Sequence, residues 1–174
     1  MDFITIDEHI TLSPLTKKDF PVFIARINDF EIYKNTCNIP YPYTLKDAED
    51  ALIHFENRSK NYGKNTSWSI RKDEEVIGGF GFQISQKSHK TEFGYWLAKD
   101  FWGKGIMTKV VAKMCEVGFE NYNFDRIQAH IFENNIASCK VLEKCGFTLE
   151  AACLKKHYKK DGKIFNGKLY AKTK

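Results

Sequence analysis

The sequence predicts an α/β (α+β) domain built on one central mixed sheet, in the order βααβββαβαββ. Apolar spacing alternates between the three-and-four period of helices and the two-residue period of strands, and it switches in that order. No internal repeat, low-complexity stretch or Pro-, Gly- or Ser-rich linker interrupts the pattern. The chain has 174 residues, 43% of them hydrophobic and 14% aromatic, which suits one globular domain over residues 1–174 with a single sizeable core.

The elements follow from local chemistry. "ITLSPL" (10–15) alternates as an edge strand does. Phe20, Phe23, Ile24, Ile27 and Phe30 or Glu31 then mark one helical face, with Pro21 in the first turn, where a missing N–H costs little. In "IPYPYTLKDAEDALIHF" (39–55) two prolines forbid a helix, after which Thr44 and Asp47 approximate a capping box and Leu45, Ala48, Leu52 and Phe55 share a face. "TSWSIRKDEEVIGGFGFQIS" (66–85) reads as two strands about a polar turn at Asp73 to Glu75, and "KTEFGYWLA" (90–98) as a third. Met107, Val110, Val111, Met114, Cys115 and Gly118 define a helix to about Asn121, and "RIQAHIF" (126–132) is a strand. "NNIASCKVLEKCGF" (134–147) is a helix opened by an Asn cap and closed by Gly146, a residue suited to the left-handed C′ position. The last two strands (148–172) fold about Asp161-Gly162, a strong hairpin signal.

Composition bounds the function. The start of the chain lacks the basic and apolar regions of a signal peptide, and no window approaches the ~18 apolar residues of a membrane span. The expectation is a cytoplasmic protein without a membrane partner, monomeric or homodimeric. The five cysteines form no CxxC and no zinc-finger spacing, and the histidines form no HExxH, so they read as free, buried thiols with no metal site. From Lys155 to Lys174 there are eight lysines and one acid, a charge of +7, which leaves −2 on the rest of a +5 chain. That end reads either as a solvated hairpin or as a surface for RNA, an acidic protein or a phosphorylated cofactor.

The stretch "FWGKGIMTKVV" (101–111) carries the clearest chemistry. A short loop leads from a strand into a helix whose first amides lack intrahelical partners and carry the positive end of the dipole. Gly103 and Gly105 leave the backbone bare, Lys104 adds a charge, and Thr108 can add a hydroxyl. This is a cradle for phosphate. It is neither a Walker loop nor a GxGxxG dinucleotide fingerprint.

"GYWLAKDFWGKGIMTKVV" followed by "ENNIASCKVLEKCGF" resembles the GNAT-superfamily N-acetyltransferases, in particular the RimJ/RimL-like branch of ribosomal-protein N-acetyltransferases. "ITLSPLTKKDF", "IPYPYTLKDAEDAL" and "DGKIFNGKLYA" extend the likeness over nearly the whole chain. The resemblance implies a mostly antiparallel sheet flanked by helices, acetyl-CoA as donor and an amine as acceptor, either a protein N-terminus or a small molecule. It assigns the coenzyme pyrophosphate to Trp102, Gly103, Lys104, Gly105, Ile106, Met107 and Thr108. The pantetheine arm and acetyl carbonyl fall to the backbone of Phe93 to Leu97, with Tyr95, Trp96 and Leu97 among the contacts, and to Asn135. Trp102 and Met107 depart from the family loop, which has Arg or Gln first and Gly or Ala last.

Acetyl transfer to an amine needs a neutral nucleophile, a donor for the carbonyl oxygen and stabilisation of the leaving thiolate. The resemblance places Glu92 as the base that draws the amine's proton through water and Ser138 beside the thiol. The family's common acid, a tyrosine seven residues after the capping Asn, is replaced by Leu142. Tyr41 and Tyr43 are expected to wall the acceptor site, whereas His130 and Tyr158 read as packing residues. A second reading is a non-catalytic acyl-CoA-binding or ribosome/RNA-associated module, with the basic C-terminus as its contact surface.

Overall fold

The computed structural model describes residues 2–84 and 89–174, so the expected end of the 66–85 segment at Ser85 lies outside the described residues. The strands are β1 (Ile4–Thr5), β2 (Ile10–Ser13), β3 (Ser67–Lys72), β4 (Glu75–Gln83), β5 (Lys90–Leu97), β6 (Arg126–Phe132), β7 (Thr148–Lys160) and β8 (Lys163–Thr173). The helices are α1 (Phe20–Ile27), α2 (Phe30–Asn35), α3 (Leu45–Tyr62), α4 (Ile106–Asn121) and α5 (Ile136–Lys144), with single 3₁₀ turns at Lys17–Asp19 and Lys99–Phe101. The strands form a mixed sheet in the order β1-β2-β3-β4-β5-β6-β8-β7. Its registered pairs are antiparallel except β5 beside β6. No described helix is long and apolar enough to cross a membrane.

The chain divides into two units, Met1–Gln83 with Gly94–Ile106 and Ile84–Phe93 with Met107–Lys174. In the first, Leu15, Phe20, Phe23, Ile27, Ile32, Ala48, Leu52 and Val76 form a core against which Trp96 packs. The expected single helix over 19–31 is two helices. Asn28 ends α1 at φ −77°, ψ 56°, and its side chain accepts the Tyr43 N–H at 3.0 Å. Asp29 then caps α2 by accepting the Glu31 N–H at 2.6 Å. The break turns the chain while keeping Ile27 and Ile32 buried. α3 opens with the expected capping box between Thr44 and Asp47. The β3–β4 turn places Asp73 and Glu74 at φ 47° and 72°, the left-handed pair that a tight hairpin needs.

One ion pair ties this unit together. Arg71 of β3 meets Asp19 through two bonds of 2.8 Å, with both side chains 13% exposed. The same guanidinium donates to Ser13 Oγ and to the carbonyls of Pro14 and Glu74, so it links β2, the 3₁₀ turn and the hairpin. Burial pushes the Asp19 carboxyl up, but Arg71 and the Thr16 N–H and hydroxyl outweigh it and hold the group below its ordinary value.

In the second unit, α4 buries Met107, Val110, Val111, Met114, Cys115, Val117 and Gly118. α5 ends in a Schellman motif. Cys145 is its C-cap, Gly146 stands at φ 79°, the Phe147 N–H donates to Leu142 O at 3.0 Å and the Gly146 N–H to Glu143 O at 3.0 Å. Lys172 adds a bond to Cys145 O at 2.8 Å, where a cation suits the negative end of the helix. The Asp161-Gly162 turn is as expected, at φ 49° and 75°. Cys115, Cys139 and Cys145 are buried free thiols, but Cys37 and Cys153 are exposed, which corrects the expectation that all five are buried. Burial pushes the Cys115 thiol up to about 12 and raises that of Cys145 as well.

Removing one partner of a half-buried, doubly bonded pair leaves the other charge without its counter-ion, so Asp19→Asn is expected to cost about 2 kcal/mol of unfolding free energy at pH 7, read by urea denaturation. The folded Asp19 is more acidic than the unfolded one. Its contribution is therefore full above about pH 4 and is lost as pH falls through the lower folded value. The gap between wild type and variant should close in acid; a gap of the same size at every pH would contradict this assignment.

Candidate active site

The second unit carries Glu92, Asn135 and Ser138. Its parallel ladder pairs Lys90, Thr91 and Glu92 of β5 with Arg126, Ile127 and Gln128 of β6. Side chains alternate along a strand, so Thr91 and Phe93 are buried on one face of this ladder while Glu92 projects from the other. Phe93 packs on Phe147 at 5.6 Å, next to the end of α5. Glu92 instead meets His130, whose Nδ1 lies 2.9 Å from Glu92 Oε2, with side-chain exposures of 17% for His130 and 31% for Glu92. His130 is stacked in turn on His157, with centroids 4.8 Å apart and planes 21° apart. Sequence reasoning set His130 aside as a packing residue. Its partner lies on a neighbouring strand, and the signal was its placement on the Gln128 face of β6, the face that Glu92 shares.

Asn135 caps α5, its Oδ1 accepting the Ser138 N–H at 3.1 Å. Capping thus uses the Ser138 backbone and not its hydroxyl, and the serine side chain is buried at the first turn. Leu142, at the position where the family often has tyrosine, is fully buried in the core. Met107 is buried on the core face of α4, and the Thr108 carbonyl accepts from Cys145 Sγ at 3.3 Å.

The first unit carries the glycine-flanked loop and the end of β5. Gly103 and Gly105 stand at φ 73° and 75°, and a Cβ built on either would meet no heavy atom within 4 Å. Both demand glycine for conformation, and both face open space. Trp102, 39% exposed, donates its indole N–H to Leu97 O at 2.7 Å and so ties the loop to the end of β5. Lys104 Nζ and the Arg26 guanidinium lie 5.5 and 5.0 Å from the centre of the Phe101 ring. Ile106 begins α4, whose first-turn amides have no partner within the helix. Leu97 is buried, while Tyr95 and Trp96 are half-buried. Trp96 packs edge-on to Phe23 at 5.4 Å. A Cβ at Gly94, mid-strand, would again meet nothing within 4 Å.

The two tyrosines expected to wall an acceptor site part company. Tyr43 is buried, 5.8 Å from Phe23, and donates its hydroxyl to Asp47 O at 3.2 Å. Burial first, then the Asp47 and Asp50 carboxylates, push that hydroxyl up to about 12. It is a core residue, which corrects the expectation. Tyr41 is exposed and forms a ring cluster with Phe30 and Tyr33, all three pairs within 5.6 Å. Among the described residues, no group of three His, Cys, Asp or Glu side chains could hold a metal.

Comparison with known proteins identifies the family and the fold. Residues 9–148 match the family described as Acetyltransferase (GNAT) domain. YdaF of Bacillus subtilis (strain 168), provisionally named a ribosomal N-acetyltransferase, is 34% identical over 165 residues, 93% of this chain and 87% of that protein. The uncharacterized N-acetyltransferase p20 of Bacillus licheniformis is 29% identical over 170 residues, 96% of this chain and 94% of that protein. Two solved structures share the fold at a TM-score of 0.87. One is the microcin C7 self-immunity acetyltransferase MccE in complex with acetyl-CoA and AMP, 23% identical and covering 98% of this chain and 95% of its own. The other is RimL, the ribosomal L7/L12 alpha-N-protein acetyltransferase in complex with coenzyme A, 18% identical and covering 99% and 98%. With a family match across most of its length and a relative 34% identical over nearly all of it, the chain belongs to the GNAT family of acetyltransferases.

Proposed function

We propose that residues 1–174 act as one catalytic domain that transfers an acetyl group from acetyl-CoA to a primary amine. The observation that carries this is the bare loop at the start of α4, where Gly103 and Gly105 combine left-handed backbone with open space. A pyrophosphate suits this loop, because Gly103 and Gly105 put no side chain over its backbone, and Lys104, whose ammonium lies over the Phe101 ring, adds a positive charge between them. Trp102 replaces the family's Arg or Gln without filling the loop, since its indole is committed to Leu97 O. Gly94 leaves β5 equally bare for the pantetheine, and Tyr95, Trp96 and Leu97 continue that backbone. Asn135, fixed at the start of α5 by its cap to the Ser138 N–H, would add a contact to the pantetheine arm.

Acetyl-CoA, when bound, supplies an acyl group on a thioester. Glu92 takes the proton of the attacking amine through water, so that the nitrogen lone pair is free to form the new C–N bond as the C–S bond breaks. Ser138 and the N-terminal field of α5 stabilise the sulfur anion that leaves. A protein N-terminus is the acceptor class supported by the likeness to YdaF and RimL. A small-molecule amine is supported by a weaker relative, the L-amino acid N-acetyltransferase AaaT of Escherichia coli, 24% identical over 83% of this chain. A ribosome or RNA contact through Lys155, Lys156, Lys159 and Lys160 has the least support. Exposed lysines on an edge strand also serve to keep that edge from pairing with another chain.

The direct test is acetyl-CoA consumption with a panel of peptides, free amino acids and polyamines. Turnover of at least one amine supports the proposal; tight acetyl-CoA binding without any turnover would favour the non-catalytic module. Gly105→Val, which puts a β-branched residue into left-handed backbone under the pyrophosphate, should weaken acetyl-CoA binding tenfold or more by calorimetry, about 1.4 kcal/mol. Unchanged affinity in the folded variant would remove the loop from the site. Glu92→Gln should lower kcat by roughly 10²-fold and abolish the acid limb of the pH–rate profile while leaving acetyl-CoA affinity intact. A near-normal rate at all pH values would sink the base assignment.

A further inference from the structure

We propose that His130 is the positioning residue of Glu92, and that a built-in bulge of β7 delivers His157 to hold it. The inference rests on the reading of Glu92 as base. A glutamate on a strand has several rotamers, and a base must present one oxygen to its proton in one of them. His130 Nδ1, 2.9 Å from Oε2, anchors one carboxylate oxygen and leaves Oε1 for the proton. An ionised carboxylate only accepts hydrogen bonds, so the hydrogen of this contact sits on Nδ1 and the imidazole is the donor.

The imidazole is itself held. Between Leu154 and Tyr158 the register of β7 slips, so that residues 154 and 158 pair with 167 and 165 of β8. Within the slip, Lys156 stands at φ 54°, left-handed without being glycine. Its N–H donates to Asn166 Oδ1 at 3.1 Å, and Asn166 Nδ2 donates to Glu133 Oε2 at 2.9 Å, which secures the bulge. A bulge re-aims the side chains beside it, and local strain marks a conformation that the surroundings enforce. Here it turns His157 and Tyr158 across Gly167, where a Cβ would come within 3.2 and 3.0 Å of their rings. His157 thereby stacks on His130, and Tyr158 lies 4.5 Å from Phe132. The remaining polar groups on this face of β6 have partners of their own, Arg126 with Glu150 and with Gln128.

A double-mutant cycle tests the inference. His130→Phe should lower kcat about tenfold while KM for acetyl-CoA and for the amine stay put. His130→Asn, which keeps a side-chain N–H near the position of Nδ1, should recover most of the loss, and His157→Ala should lose a few-fold. In a Glu92→Gln background none of the three should cost anything further, because the residue through which they act is already gone. Independent, multiplying losses in that background, or full kcat in His130→Phe and His157→Ala alike, would overturn the inference with the base reading intact. The asparagine and alanine variants complete the cycle if the phenylalanine variant folds poorly. A fully active Glu92→Gln would remove the base and the inference together.

Discussion

Two adjacent glycines in β4 set how closely β5 can approach it. A Cβ at Gly78 would stand 2.5 Å from the Trp96 carbonyl oxygen, and one at Gly79 would stand 2.6 Å from Trp96 Nε1. No rotamer relieves a clash with backbone, so this side of the first unit exists only while β4 is bare there. With the gap open, the Trp96 indole crosses Gly79 to meet Phe23, and the Ala98 N–H reaches Ile77 O at 2.8 Å. The end of β5 is thereby fixed, and with it Leu97, whose carbonyl holds the Trp102 indole at the mouth of the glycine loop. The loop's geometry descends from the β4 glycines through a chain of contacts of ordinary strength.

The second unit solves a different problem, which is to hold polar groups still on the accessible face of a sheet. Ile127 and Ala129 line its opposite face, and Val110, Val111, Met114, Phe124 and Leu142 of the same unit are also nearly or fully buried. Against that rigid backing, strand alternation alone puts Glu92, Arg126, Gln128 and His130 on the other side. α5 is secured at both ends, by Asn135 at its start and by Gly146 and Lys172 at its close. Ser138 therefore sits at a fixed helix start.

Much of this was legible in the sequence, because local chemistry decided it. The Thr44–Asp47 capping box, the Gly146 stop and the Asp161-Gly162 hairpin all act within a few residues. The break between α1 and α2 was hidden by apolar spacing that continues through it. Asn28 and Asp29 could have signalled it, yet the Asn28 side chain finds its use only through Tyr43, which folding brings near. β1, two residues long, is too short to show a period. Tyr43 looked like a loop tyrosine because prolines surround it, and its burial depends on Phe23 from α1. His130 was missed for the same reason: Glu92 and His157 approach it from two other strands, and no sequence spacing joins the three.

The proposed division of labour is that bare backbone at Gly103 and Gly105 holds the donor while the Glu92 carboxylate handles the acceptor's proton. Titration of the ¹⁵N-labelled protein with coenzyme A, followed through backbone amide shifts, examines its first half residue by residue. The largest shifts are expected at the amides of Gly103, Gly105 and the first turn of α4, accompanied by Gly94, with the Arg71–Asp19 region unmoved. Saturable binding that leaves those glycines unshifted and perturbs other amides instead would contradict it.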